Sequence, residues 1–303
     1  MIPHFPESKR LELTDKSEVE QFTQEYPPYS DFNFVSLWSW DVDQKTKLSL
    51  LNDNLLIKFS DYCDGSEFWS VIGKNELDAT ILRLFDYLRQ TNGLTKLRLV
   101  PESVIKTLSA NHKFQIQADC NNDDYVMSIQ DLSQMKGTRF LSKRNHVNKF
   151  VRTYTDKVKV KPLDVTTNYN QGKILETFKK WTQIKNRDKN ETQRELMAIK
   201  RLFIVASKTK INGVGVWMDD NLIGFSIEEI IDSEWAIMHF EKADTGFSGL
   251  YEFLNLQSAV YLQAEGCKFL NLEQDLGDEG LRRAKLSYRP VKMLKKFTIA
   301  PLT

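Results

Sequence analysis

The sequence predicts an α/β protein with two tandem domains, each a mixed, mostly antiparallel sheet flanked by helices. Its 303 residues exceed what one small core usually organises. A hydrophobic content of 41% with 27% charged residues is typical of globular proteins. Both halves also show the same order of helix and strand patterns. We therefore expect domains at residues 1–130 and 131–303.

The second half has the clearer pattern. Alternating apolar residues mark strands, and apolar residues at a spacing of three or four mark amphipathic helices. The order β-α-α-β-β-β-α-β-α-β is that of the GNAT acyltransferase fold. The predicted elements of this half are, in chain order, Val158–Val165, Asn168–Ile184, Glu191–Ser207, Gly213–Met218, Leu222–Ile230, Trp235–Glu241, Ser248–Glu265, Phe269–Leu272, Glu279–Ser287 and Val291–Ile299.

The first half gives a fainter version of this order, α-β-β-β-α-β-α-β. We expect the second of its strand patterns to be a hairpin that turns at Asn52 and Asp53. The predicted elements are Ser17–Tyr26, Phe34–Trp40, Leu48–Phe59, Phe68–Ile72, Leu77–Arg89, Lys96–Val100, Glu102–Ala110 and Tyr125–Ile129.

Composition argues against several classes of protein. No window approaches the ~18 consecutive apolar residues of a membrane helix, and the N-terminus has no secretory signal pattern, so we expect a cytoplasmic protein. Cys63, Cys120 and Cys267 are widely separated and form no CxxC pair, which favours reduced thiols over a zinc site. With four histidines in the chain, we expect no metal centre.

A basic segment from Arg139 to Tyr154 predicts a helix with one apolar stripe. Its other faces could bind the phosphates of a nucleic acid or an anionic cofactor. A solvated helix between domains is the alternative interpretation. The candidate donor-binding residues are Lys143, Arg144, Asn145, His146 and Lys149.

A second candidate segment follows the predicted strand Phe269–Leu272 and joins acidic residues to a basic helix. Glu273 and Asp275, near the strand end, could orient or deprotonate a nucleophile. Arg282 and Lys285 could stabilise an oxyanion or a phosphate. The next acids along the chain, Asp278 and Glu279, are more typical of residues that favour a helix N-terminus.

The third segment runs from His239 to Leu250. Strand alternation places His239 and Glu241 on one face, where they could handle a proton, and Lys242 on the other. A histidine that is simply hydrogen-bonded in the core is the alternative. Gly246 and Gly249 form only a degenerate version of a glycine-rich pyrophosphate loop, so coenzyme A is the less expected cofactor.

Five segments together resemble the soluble C-terminal domain of bacterial phosphatidylglycerol lysyltransferases and its stand-alone relatives. The resemblance implies a tandem GNAT-like fold and the transfer of an aminoacyl group from charged tRNA. A GL-x-x-x-K pattern, shared with peptidoglycan-peptide aminoacyltransferases, implies that Lys285 lies at the reaction site, and Tyr288 nearby joins the substrate-binding candidates. The segments are Asp124–Val126, Gly137–Phe150, Ile237–Asp244, Asn271–Gly277 and Gly280–Pro290.

We therefore expect an aminoacyltransferase that uses charged tRNA and an amine or hydroxyl acceptor, which could be a small molecule, a peptide or a headgroup. The absence of a membrane-spanning pattern favours a soluble amine or peptide over a lipid. Two alternatives stay open. One is an N-acetyltransferase that uses acyl-coenzyme A, and the other is a non-catalytic GNAT-like module that binds tRNA or an anionic ligand.

Overall fold

Several of the strand pairs are hairpins. In the computed structural model, residues 1–61, 65–91, 96–109, 113–154, 156–185 and 188–302 are described. Asn52 and Asp53 both adopt positive φ values, 49° and 55°, between two antiparallel strands. This is the conformation that a two-residue hairpin turn requires, and asparagine and aspartate adopt it more readily than most residues. The predicted turn is confirmed.

Fourteen strands lie within the described residues: β1 Lys9–Arg10, β2 Lys47–Leu51, β3 Asn54–Ser60, β4 Glu67–Ile72, β5 Leu97–Pro101, β6 Phe114–Ala118, β7 Asp124–Ser128, β8 Val158–Pro162, β9 Ile211–Met218, β10 Asn221–Ile230, β11 Trp235–Ala243, β12 Phe269–Asn271, β13 Lys292–Leu294 and β14 Lys296–Pro301. The α-helices of the same residues are α1 Lys16–Thr23, α2 Phe34–Trp40, α3 Leu77–Thr91, α4 Glu102–Ile105, α5 Ile129–Gln134, α6 Leu141–Tyr154, α7 Asn168–Lys185, α8 Lys189–Ala206, α9 Leu250–Ala264 and α10 Glu279–Ser287.

The chain forms two units, each built on a seven-stranded sheet. The first unit contains Met1–Asp124, Gln274–Gly277 and Leu294–Thr303, and the second contains Tyr125–Glu273 and Asp278–Met293. The strand order is β1-β2-β3-β4-β5-β14-β6 in the first sheet and β13-β7-β12-β11-β10-β9-β8 in the second. Most registered pairs are antiparallel, with β4/β5 and β11/β12 parallel. The predicted fold class is confirmed.

In the first unit, one predicted strand is a helix. Phe34–Trp40 forms α2, because the Asn33 side chain accepts a hydrogen bond from the Ser36 N–H and caps the helix. The prediction of a strand here was wrong, since a short buried apolar run suits either structure. By contrast, α3 forms where a helix was predicted, and its residues Ile81 and Leu84 are fully buried.

A buried ionic cluster ties β14 to the first unit. The Lys296 ammonium is fully buried and contacts Asp31, Asp124 (2.7 Å) and Ser30 (3.2 Å). Burial alone lowers the pKa of Lys296, but the two carboxylates raise it above its ordinary value. The Ser30 hydroxyl also donates to Asp124 at 2.6 Å. Breaking such a pair would leave uncompensated buried charge, so the cluster favours this placement of β14.

In the second unit, the predicted order is confirmed from β8 through α10. Phe150, Leu254 and Leu270 are fully buried in its core. Gly266, with φ +92°, follows α9 at the position where a glycine commonly ends a helix. Within the described residues, no helix has both the length and the apolar character needed to cross a membrane.

The cysteines differ in environment. Cys120 is exposed and Cys267 is buried as a free thiol, and burial raises the pKa of Cys267. Cys63 lies outside the described residues. Neither described cysteine is in a disulfide.

Candidate active site

The second unit has an opening in its sheet where two parallel strands separate. β11 and β12 pair over three positions, from Trp235↔Phe269 to Ile237↔Asn271. β12 ends at Asn271, whereas β11 continues to Ala243. Residues of β11 beyond Ile237 therefore have no backbone partner in β12. In open α/β sheets, ligands tend to bind beyond the carboxyl ends of parallel strands.

A β-bulge lies at this point of separation. Ile227 of β10 pairs with Phe240 of β11, but the next residue, Glu228, pairs with Met238. His239 is therefore an extra residue in β11, and the alternation of side chains along the strand is interrupted there. Bulges commonly redirect a side chain beside a functional site.

His239 connects two carboxylates. Its Nε2 lies 3.2 Å from Glu229 Oε2, and its Nδ1 lies 3.3 Å from Glu273 Oε1. Burial alone lowers the pKa of His239, but the hydrogen bonds and charges of the two carboxylates outweigh it and raise the pKa to about 9. The imidazole is therefore a buried cation at neutral pH.

Glu273 adopts a backbone conformation that is uncommon for its residue type. Its φ is +59°, which non-glycine residues rarely adopt, and its N–H donates to Asn271 Oδ1 at 2.7 Å. Its carbonyl accepts from the Tyr125 N–H at 3.2 Å. The loop after β12 is thus held in a conformation that brings the Glu273 carboxylate to His239. Backbone strain of this kind is concentrated at functional sites.

Lys285, on α10, contacts the backbone of the same loop. Its ammonium donates to the carbonyls of Leu272 at 2.6 Å and Glu273 at 3.2 Å, and lies 5.8 Å from the centre of the Tyr125 ring. Lys285 and Glu273, two of the predicted catalytic residues, are therefore in direct contact.

The other predicted residues of this segment lie as follows. Arg282 is half-buried on α10. Asp278 caps α10 by accepting from the Leu281 N–H at 2.8 Å, in agreement with its expected structural role. Asp275 belongs to the first unit, where it is fully buried and accepts from the Gly277 N–H at 2.8 Å.

His239 and Glu241 do not share a partner among the contacts described, in contrast to the expectation from strand alternation. Glu241 accepts a hydrogen bond from the Asn255 amide on α9. Burial, together with the neighbouring Glu228, raises the pKa of Glu241 to about 8, so this carboxyl group is largely protonated at neutral pH. Lys242 pairs with Glu195 at 2.7 Å. The bulge explains the separation, because it shifts the phase of the strand.

Two site residues were missed by sequence reasoning, Glu228 and Glu229 on β10. Glu228 is fully buried, accepts from the Ser258 hydroxyl at 2.6 Å, and has one carboxylate oxygen without a hydrogen-bond partner in the described structure. Burial raises its pKa to about 7. The sequence did contain a signal for a polar site here, namely two consecutive acids inside the apolar run Leu222–Ile230. Acidic residues are rarely buried without a partner.

Some basic side chains of helix α6 form contacts within the second unit. The Lys143 ammonium lies 3.3 Å from Glu252 and 4.0 Å from the centre of the buried Tyr288 ring. Burial raises the pKa of Glu252, but Lys143 and His146 outweigh this and lower it below its ordinary value. Arg144 donates to the carbonyls of Met135 and Gly137.

The remaining candidates on α6 face solvent. Asn145, His146 and Lys149 are exposed, although His146 Nδ1 lies 3.2 Å from Glu252. Further exposed basic residues of the second unit lie on α6 or close to it in sequence: Lys136, Arg139, Arg152, Lys157, Lys159 and Lys161.

If the protein bound coenzyme A, the pyrophosphate of that cofactor would contact backbone N–H groups of the turn before α9. The Gly246 N–H already donates to the Asp244 carboxylate at 2.8 Å. Gly249 has φ +89°, and a Cβ there would lie 2.3 Å from the His146 carbonyl oxygen. An acidic side chain and the backbone of α6 therefore occupy this turn.

Comparison with known proteins agrees with the resemblance found in the sequence. The family described as "Phosphatidylglycerol lysyltransferase, C-terminal" matches residues 23–300. A conserved protein of unknown function from Bacteroides thetaiotaomicron is 26% identical, with a TM-score of 0.82 over 100% of both chains. L-PGS from Bacillus licheniformis is 11% identical, with a TM-score of 0.62 over 96% of this chain and 93% of the other. An uncharacterised protein of Mycoplasmoides gallisepticum is 19% identical over 96% of this chain and 98% of its own length. The match over nearly the whole chain shows that this protein belongs to the phosphatidylglycerol lysyltransferase C-terminal family.

Proposed function

We propose that this protein transfers an aminoacyl group from a charged tRNA to an amine or hydroxyl acceptor. The observation that carries the proposal is the Glu229–His239–Glu273 arrangement where β11 and β12 separate, with Lys285 on the backbone of Glu273. The family's printed description, a lysyltransferase, supports the same class of reaction.

The arrangement contains a base and an acid in contact. The Glu273 carboxylate takes the proton of the acceptor nucleophile, which attacks the ester carbonyl carbon of the aminoacyl-tRNA. His239, protonated at neutral pH because its pKa is about 9, gives a proton to the ribose oxygen when the ester bond breaks. The proton on Glu273 then returns to His239 across 3.3 Å, so that the site is restored.

Lys285 and Arg282 supply positive charge in this proposal. Lys285 already fixes the loop that presents Glu273, and its ammonium favours negative charge developing on the carbonyl oxygen of the donor. Arg282 is half-buried on the same helix and acts with it. Glu273 is the better base than Asp275, because its carboxylate contacts His239, whereas Asp275 is fully buried in the first unit.

Two features favour tRNA over coenzyme A as the donor carrier. The exposed basic residues on and beside α6 suit phosphate contacts with a nucleic acid. The Asp244 carboxylate on Gly246 and the close approach of α6 to Gly249 disfavour a pyrophosphate before α9. We place the protein in the cytoplasm, where charged tRNA is found, and leave lipid headgroups among the acceptors to be tested.

The test is a transfer assay with tRNA charged with one radiolabelled amino acid at a time. Acceptors are phosphatidylglycerol vesicles, spermidine and a peptide mixture, each separated from the tRNA before counting. We expect label on one acceptor class, and a loss on the order of 10²-fold in Glu273→Gln and in Lys285→Met. Glu265→Gln, an exposed position at the end of α9, is the matched control.

The outcomes separate the alternatives. Full transfer by Glu273→Gln with normal folding would refute the role of this carboxylate. Transfer from acetyl-coenzyme A, with none from charged tRNA, would assign the protein to the ordinary acyltransferases. Salt-dependent tRNA binding without turnover on any acceptor would instead favour a binding module.

A further inference from the structure

The first unit contains a cavity of about 240 Å³ that has no part in the transfer site. Its apolar wall is formed by Phe59 and Phe68, whose rings stack with centroids 5.3 Å apart. The Arg98 guanidinium lies 4.4 Å from the centre of the Phe68 ring and 2.9 Å from the Asp61 carboxylate. The cavity thus combines aromatic surface with charged groups, as small-molecule sites do.

An irregular strand places Arg98 in this wall. Leu97 of β5 pairs with Ile299 of β14, and Val100 pairs with Phe297, so two residues of β5 oppose one of β14. The second of these two, Leu99, has φ +56°. Such a conformation costs a branched side chain about 1–2 kcal/mol. A bulge with a strained residue beside a cavity is typical of ligand sites.

The charges of the wall favour a cation. Arg98 and Asp61 form a pair, and their charges offset each other. Asp119 also lines the cavity and is half-buried, and in the described parts of the chain its carboxylate makes no hydrogen bond or ion pair. Among the lining residues that the structure describes, two carboxylates against one guanidinium give a net charge of −1. An anionic ligand is therefore disfavoured.

We propose that this cavity binds a small organic ammonium ion, a primary amine with a short apolar chain. The ammonium pairs with Asp119, and the chain packs against the Phe59 and Phe68 side chains. A water molecule occupies ~30 Å³ in the liquid, so the cavity volume corresponds to about eight water-sized groups. It therefore admits a ligand of about eight non-hydrogen atoms. The site is independent of the proposed transfer reaction, because every lining residue belongs to the first unit.

The test compares three probes of equal length by calorimetry and by chemical-shift changes: hexylamine, hexanol and hexanoate. We expect saturable binding of hexylamine with a Kd of about 1 mM or lower, and at least about tenfold weaker binding of the other two. Asp119→Asn should weaken hexylamine binding at least about tenfold. Asp86→Asn, on the exposed face of α3, is the matched control and should bind as the unaltered protein does.

Two further variants keep the result interpretable. Phe59→Leu should weaken both hexylamine and hexanol, because it removes aromatic surface without changing charge. Lys285→Met should leave hexylamine binding unchanged even if it abolishes aminoacyl transfer. The amine-binding proposal can therefore be tested separately from the transfer proposal. Hexanol binding as tightly as hexylamine, an unchanged affinity in Asp119→Asn, or no saturation below about 10 mM would each overturn the proposal.

Discussion

Replacing Glu229 by glutamine should lower the pKa of His239. In the unaltered protein, two carboxylates outweigh burial and raise this pKa from 6.5 to about 9. A hydrogen bond to a charged group contributes about 1.5–3 kcal/mol, which corresponds to about one to two pH units. We therefore expect the midpoint for His239 in Glu229→Gln to fall to about 7–8.

Nuclear magnetic resonance of ring-labelled histidine measures this directly. The chain has four histidines, and His239→Gln identifies the resonance that belongs to the site. The titration runs from below neutral pH to above the expected midpoint, with Glu265→Gln as the exposed control. A midpoint at 6.5 or below in the unaltered protein, or an equal midpoint in Glu229→Gln, would refute the reasoning.

The same shift predicts how stability depends on pH. Because the pKa in the folded protein is above that of free histidine, the stabilisation is fully present below pH 6.5 and is lost as the pH rises through about 9. The difference between these values, at 1.36 kcal/mol per pH unit, is worth about 3 kcal/mol. Urea unfolding at pH 6 and pH 10 should show this loss in the unaltered protein and a smaller loss in His239→Gln.

Four substitutions test other parts of the structure. Lys296→Met should lower the free energy of unfolding in urea by about 3–5 kcal/mol, since it leaves two buried carboxylates without their cation; a loss below about 1 kcal/mol would contradict the buried cluster. Gly249→Ala should cost about 2 kcal/mol or more, because its Cβ would overlap the His146 carbonyl at a positive φ, and an unchanged Tm would contradict that packing. Lys143→Met should lower the Tm, because Lys143 contacts Glu252 inside the second unit. The exposed Lys149→Met should leave the Tm unchanged. It should instead reduce the slope of log Kd for tRNA against log salt concentration by about 1. Equal Tm values for the two lysine variants would count against the internal role of Lys143.

Local patterns predicted most elements of the fold, but they did not predict which sheet each strand joins. Asn52 and Asp53 specify their turn through their own backbone preferences, so the hairpin was predictable. The helix Phe34–Trp40 was not predictable from its apolar residues, because the capping residue Asn33 decides between helix and strand. The placement of β14 between β5 and β6 depends on the buried Lys296 contacts, which join residues more than 170 positions apart. Such distant contacts leave no local pattern.

The candidate site was predictable where the chemistry lies on neighbouring residues. Glu273 and Lys285 belong to one continuous segment, and the structure brings them into contact. The pairing of His239 with Glu229 was not predicted, since it depends on a bulge that interrupts the alternation of β11. The same interruption gives Glu241 a different partner. One inserted residue in a strand therefore decides which acids share a proton with the histidine.

The position of β14 also constrains the order in which the protein can be completed during synthesis. β14 is an interior strand of the first sheet, yet it follows every residue of the second unit along the chain. On the ribosome, the first sheet therefore lacks an interior strand until the second unit has been synthesised. The edges of β5 and β6 stay open to other chains for that time, and such edges favour aggregation. A slow ribosome should thus lower the yield of folded protein through the first unit, the half of the chain that is made earliest.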